Sequence, residues 1–361
     1  PPDSATSAID QRGTTVAMNV QEMYYYSQAD TNKALDLLKA DGVNSIRILI
    51  PWAQVEPSND SFTGWAAVDR MVNSARARDM TVDGVLNTTP LWAGVSGGLP
   101  LAAAPADPQE FAEFAGMVAT RYAGKIGAYE IWNEPNGYQF WSPAPDAAAY
   151  TAILKAAYPV IKAADPNAVV VAAGLGAVIS FGNFTIDPVT YLQQMYASGA
   201  AGYFDALSYH PYLYTKMFST PSTNPAAPKN QAASLHNLMV ANGDGSKKIW
   251  ATEYGQPAGI VSEQSQADYI GDFLRTWRDL DYAGPTFIHT IRDYTSSTAN
   301  SSTFGVYHND WTPKLAVGVI EDVIVENEAI NAAEEAQPVG NLIAGVLTLV
   351  NNVLGSLGGI L

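Results

Sequence analysis

The chain has 361 residues, 47% apolar and 15% charged, so it can bury one large core and is too apolar for global disorder. Its net charge of −16 argues against a nucleic-acid partner and fits a neutral ligand such as a sugar. With no cysteine and only four histidines (His210, His236, His289 and His308), no two at helical ligand spacing, disulfides, thiolate chemistry and a structural metal drop out, and no cofactor is expected.

The opening run Pro1-Pro2-Asp3-Ser4-Ala5-Thr6-Ser7-Ala8 is small and polar, and residues 1–12 are expected to be a leader outside the core. It suits a mature, exported chain, secreted or held at the cell envelope, although a trimmed chain would read the same. Short β-branched or apolar runs follow at 14–20, 45–50, 81–87, 127–133, 168–173, 204–209, 248–253 and 286–290. Helical patterns separate them, at 32–40, 66–78, 108–122, 146–164 and 262–280 among others. Strict alternation of strand and helix implies parallel strands covered by helices, and eight units close naturally into a (β/α)8 TIM barrel over residues 13–326. An open doubly wound sheet would carry a glycine-rich phosphate loop after its first strand. The segment there is Gln21-Glu22-Met23-Tyr24-Tyr25-Tyr26, which is the wrong chemistry.

In such a barrel the reactive groups sit at the C-terminal strand ends. The fourth strand ends Tyr129-Glu130-Ile131-Trp132-Asn133-Glu134-Pro135-Asn136, with Pro135 preventing continuation. The seventh ends Ile249-Trp250-Ala251-Thr252-Glu253-Tyr254-Gly255. Either glutamate alone is explained by a structural ion pair at the barrel mouth; two of them in a chain short of charge are harder to explain that way. The Trp132-Asn133-Glu134-Pro135 run, with a second strand-end glutamate three strands later, resembles the clan of retaining glycosidases on (β/α)8 barrels. Within that clan the chain is most similar to the family of β-xylosidases, α-iduronidases and exopolysaccharide endoglycosidases (family 39-like), with the cellulase-like family second.

The resemblance implies that Glu134 is the acid/base and Glu253 the nucleophile, at a separation of ~5–5.5 Å. It implies that Arg47, pointing inward from Ser45-Ile46-Arg47-Ile48, holds the nucleophile, a contact that a purely structural ion pair would share. It implies further that Asn133 donates to a sugar hydroxyl, and that His210 and Tyr212, from Ser208-Tyr209-His210-Pro211-Tyr212, lie beside the nucleophile. Asn87 ends the third strand and is expected to face the pocket, with a loop or capping role as the alternative. Trp52, Trp92, Tyr138, Phe140 and Trp141 follow strand ends and are expected, as a group, to line an extended sugar cleft. Strand eight departs from the clan pattern. It reads Phe287-Ile288-His289-Thr290-Ile291-Arg292-Asp293-Tyr294, with no tryptophan, so His289, Arg292, Asp293 or Tyr294 could take its place, and Arg292 is a candidate reader of a uronate unless it pairs with Asp293.

Beyond residue 326 an acidic, Ala-rich linker is expected at 327–339, then an uncharged apolar tail at 340–361. The tail is long enough for the ~20 residues of a membrane span, but its asparagines and glycines favour docking on the barrel, on a protein partner or on a membrane surface. The functions in competition are a glycan hydrolase acting by double displacement, a transglycosidase using the same residues, and a catalytically silent carbohydrate-binding barrel. A metal-dependent barrel hydrolase lacks the histidine and aspartate clusters it would need.

Overall fold

The computed structural model describes residues 7–259, 261–294 and 302–357, with side chains through residue 336. Eight parallel strands form one closed barrel: β1 (Val16–Asn19), β2 (Ser45–Pro51), β3 (Thr81–Asn87), β4 (Ala128–Asn133), β5 (Val169–Gly176), β6 (Ala206–His210), β7 (Ile249–Tyr254) and β8 (Ala283–His289), which pairs back onto β1. Helices α1 (Gln28–Ala40), α3 (Ala66–Arg76), α4 (Pro108–Arg121), α5 (Ala147–Ala164), α6 (Pro188–Ala197), α7 (Pro228–Ala241), α8 (Glu263–Arg278) and α9 (Leu315–Leu357) alternate with them, and the one-turn α2 (Trp52–Val55) follows β2 directly. Local chemistry sets where helices begin. Asp107, Asp146 and Asp187 each accept from backbone amides of the first turn, and Pro108 and Pro188 occupy first helical positions, where no N–H is needed.

The floor of the lumen is apolar, built from Ala17, Ala128, Val171, Ala206, Trp250 and Phe287. Ile9 joins this cluster, so part of the 1–12 segment read as a leader is packed beneath the barrel. Gly127 is required there, because a Cβ would stand 2.0 Å from the carbonyl oxygen of Ser7. Without this covering, the rings of Trp250 and Phe287 would meet water.

A second difference lies at the other end. Helix α9 runs without interruption through the segment read as an acidic linker, since alanine and glutamate are strong helix formers. It buries Ala316, Ile320 and Val323, and its Glu326 meets Arg275 at 2.7 Å and Arg278 at 3.0 Å on α8. Asn331 and Glu335 reach back to Thr14 at 2.8 Å and Arg12 at 3.2 Å. Among the described residues no helix is long and apolar enough to cross a membrane.

Candidate active site

Strand alternation points Ala128 and Glu130 into the lumen and would send Trp132 after them. Instead Trp132 adopts φ +73° and turns its indole outward, 5.9 Å from Phe111 of α4 and 5.1 Å from Trp141 (ring centroids). The phase break brings Asn133 inward, and Glu134, at φ +47°, follows it to the mouth. Left-handed backbone at such residues costs about 1–3 kcal/mol each, so packing of Trp132 must hold it in place. The same device recurs on β7. Trp250 and Thr252 face inward, the β7–β8 register shifts between Ala251 and Tyr254, and Tyr254 stacks outward on Phe273 of α8 at 3.8 Å. Glu253 is thereby turned into the lumen.

Arg47, fully buried, is the hub of this layer. Its Nε donates to Glu130 Oε2 at 2.7 Å, its Nη1 to Glu253 Oε1 at 2.7 Å and its Nη2 to Asn133 Oδ1 at 2.8 Å. Tyr212 Oη donates to Glu253 Oε2 at 3.0 Å, and Gln21 Nε2 to Oε1 at 3.3 Å. Burial opposes ionisation of Glu253, but the neighbouring His210, Arg47 and His289, with the Tyr212 hydroxyl, outweigh it and hold the carboxyl down at about 2. Burial, reinforced by the charge of Glu253, keeps Tyr212 protonated and therefore a donor. Asp83, beside Arg47 on the next strand, is pushed well up by burial and by its neighbour Glu130.

Glu134 Oε1 lies 2.9 Å from His210 Nδ1, and Glu253 Oε2 lies 3.9 Å from the same nitrogen. The two oxygens are therefore no farther apart than those two distances together. His210 Nε2 contacts Thr252 Oγ1 at 2.9 Å, and that hydroxyl donates its one proton to Glu130 Oε1 at 3.1 Å. Nε2 must then be the donor, so the remaining proton of this line lies between His210 Nδ1 and Glu134 Oε1. Gly174, next to a register shift in β5, leaves room for the arrangement: a Cβ there would stand 2.4 Å from His210 Nε2 and 2.8 Å from Glu130 Oε1. Asn19 Nδ2 meets His289 Nδ1 at 3.2 Å, which leaves Nε2 of that ring protonated when it is neutral. Burial, with help from Arg47 and His210, lowers the His289 pKa.

The structure thus gathers Glu134, Glu253, Arg47, Asn133, His210 and Tyr212 around one centre. Asn87 sits half-buried at the end of β3, on the same strand face as Asp83. Tyr138 and Glu134 line one pocket of about 230 Å³. Two aromatic expectations are corrected. Trp52 is buried, because α2 starts at once after β2 and lays the ring on Phe114 at 5.8 Å and against Phe111. Trp141 is buried between Trp132 and Tyr150. Trp92 packs edge-on against Trp52 at 5.7 Å and donates to Glu56 O. Arg292 is sandwiched between Tyr26 at 4.6 Å and Trp311 at 4.3 Å, where cation–π attraction holds it, and its guanidinium lies 4.0 Å from Asp30. Asp293 pairs instead with Lys314 at 2.8 Å.

Glu130, Asp83, Thr252, Asn19 and Gln21 were not anticipated. For Glu130 and Asp83 a signal existed, since each is an acid inside an apolar strand at the alternation that turns Arg47 inward. Gln21 and Asn19 carry no such mark.

A strand-end carboxylate pair at the mouth of a closed (β/α)8 barrel has the architecture of a glycoside hydrolase. The sequence matches the cellulase family, glycosyl hydrolase family 5, over residues 9–284, and the chain belongs to that family. No curated protein matches it by sequence. Among solved structures, a family 39 glycoside hydrolase from the gut symbiont Bacteroides cellulosilyticus WH2 has a TM-score of 0.70 and 18% identity, covering 88% of this chain, which spans 64% of that one. GH5_18 from Streptomyces cattleya, solved with GlcNAc, has a TM-score of 0.65 and 14% identity over 88% of this chain and 81% of its own. A GH39 β-xylosidase from Caulobacter crescentus has a TM-score of 0.65 and 16% identity over 87% of this chain and 72% of its own. The likeness in fold spans both families that the sequence resembles, and the family match is to the second of them.

Proposed function

We propose that the enzyme cleaves a poly- or oligosaccharide by double displacement, with Glu253 as nucleophile and Glu134 as acid and then base. The observation that carries these roles is the asymmetry around His210 Nδ1. Glu253 is ringed by donors from Arg47, Tyr212 and Gln21, whereas among the described residues the Glu134 carboxyl meets only the imidazole. The first is held as a carboxylate ready to attack, and the second is free to exchange a proton.

In the first step a Glu253 oxygen bonds to the anomeric carbon as the glycosidic C–O bond breaks, and Glu134 gives its proton to the departing oxygen. In the second, Glu134 takes a proton from water, the water oxygen bonds to the anomeric carbon, and the ester bond to Glu253 breaks. Arg47 and Tyr212 receive the charge that returns to Glu253. Asn133 is oriented by its bond to Arg47, which leaves its amide nitrogen, without a partner among the described residues, to donate to a sugar hydroxyl. Polymeric glycans are met outside the cytoplasm, which supports a secreted or envelope-associated enzyme.

Intact-protein mass spectrometry after incubation with activated 2-fluoroglycosides tests the reading. A sugar-sized adduct mapped to Glu253 is expected. Glycan binding without adduct or cleavage, across hexoses, pentoses and uronates, would establish a silent barrel instead.

A further inference from the structure

The two sides of the catalytic pair differ in chemistry. Around Glu253 the groups are polar: Arg47, Tyr212, Gln21, Asn19 and His289. On the far side of Glu134 the wall is formed by the loops after β4 and β5, and it is mostly apolar. Glu134, Tyr138, Val178 and Phe184 line the same pocket there. Phe184 lies edge-on to Tyr138 at 5.6 Å and parallel to Phe181 at 6.0 Å. Phe181, Phe184 and Ile179 are 67%, 56% and 65% exposed.

This shelf is braced from within. Asn136 bonds the amide of Gly176 and the carbonyls of Gly176 and Ile186, all within 3.0 Å, and Tyr138 N donates to Phe184 O at 2.7 Å. Thr185 Oγ1 donates to Ile179 O at 2.7 Å, and Ser180 Oγ accepts from Asp187 N at 2.9 Å. The polar side chains of these loops are thus largely consumed in holding them together. What faces outward is mainly hydrocarbon, from Ile179, Phe181 and Phe184, with the exposed Gln139, Ser180 and Asn183 and the Tyr138 hydroxyl around it. A sugar could stack its C–H faces on these rings, but its hydroxyls would find few partners for the hydration they lose, whereas an apolar group gains over its whole surface by leaving water. A contiguous exposed apolar patch that runs into a reactive pocket marks a ligand surface.

Resting on the acid role of Glu134 given above, we propose that this shelf is the leaving-group subsite and that it takes an apolar aglycone, an alkyl or aryl group, in preference to another sugar. The group whose oxygen Glu134 protonates must depart on the Glu134 side, which is where the phenylalanines stand.

The test uses the full chain and the glycone that forms the Glu253 adduct, joined to methyl, butyl, octyl or glucosyl leaving groups. The n-alkanols have nearly equal acidity, so their series reports contact with the shelf. Expected is a rise in kcat/KM of roughly two- to fourfold per methylene up to octyl, fourfold being full burial of each methylene and twofold half burial on an open shelf, with octyl exceeding glucosyl. Phe184→Ser and Phe181→Ser should collapse the octyl-to-methyl ratio toward one. Val240→Ser, which alters an apolar residue 54% exposed on α7, should leave that ratio alone. A flat alkyl series, or a glucosyl preference lost in Phe184→Ser, overturns the apolar aglycone while the Glu253 adduct keeps the double displacement standing. No adduct and no turnover of any glycoside removes both.

Discussion

The lumen has a lower half and an upper half made by the same strands. Below, alternation is kept, and Ala17, Ala128, Val171, Trp250 and Phe287 close over Ile9 as a dry plug. Above, it is broken on β4, β5 and β7, by left-handed residues or register shifts, and each break delivers a reactive group or the space for one. The regular half supplies stability through burial, and the irregular half gives up some of it to aim carboxylates at a common point. Charge follows the same division. Arg47, the one buried arginine among the described residues, lies at the boundary and pairs with Glu130 and Glu253.

If this division is right, substitutions above should change catalysis and those below should change stability. The largest effect is expected from Glu253→Gln, a loss in kcat of ~10⁵-fold or more with no adduct by mass spectrometry. Glu134→Gln should cost ~10²–10⁴-fold on alkyl glycosides and far less on activated aryl glycosides, read from a leaving-group series. A uniform loss across that series would deny Glu134 the acid role. Gly174→Ala, which puts a methyl against His210, should cost on the order of 10²-fold in kcat/KM through misplacement of the pair.

Tyr212→Phe sharpens the electrostatic part of the comparison. The carboxyl of Glu253 sits at about 2, below the ~4.3 of a free glutamate. Its ionised form therefore supports the site fully above that ordinary value and is lost only as pH falls through about 2. Removing the Tyr212 donor raises the carboxyl, so the acid limb of kcat/KM should move to higher pH, with about tenfold lower activity at the optimum. An unmoved limb would mean that Tyr212 does not act on Glu253. Ile9→Ala, in the lower half, should have the smallest catalytic effect: kcat/KM unchanged, with about 2 kcal/mol of stability lost in urea denaturation.

The sequence alone determined the barrel, through apolar runs at strand length with helices between them, and it put Glu134 and Glu253 at strand ends and Arg47 at an inward position. The gathering of Asn133, His210 and Tyr212 beside them was implied only by the family resemblance, and Glu130, Asp83, Thr252, Asn19 and Gln21 were not singled out at all. The sequence could not show that Trp52 and Trp141 turn into the core, because an aromatic after a strand reads the same whether the next loop opens or folds back. Nor could it seat Arg292 between Tyr26 and Trp311, or bring Gln21 against Glu253, since those neighbours are far apart in the chain. The tertiary structure decided which rings face water and which polar groups are already satisfied. Both depend on which distant segments pack together, and local pattern does not specify those contacts.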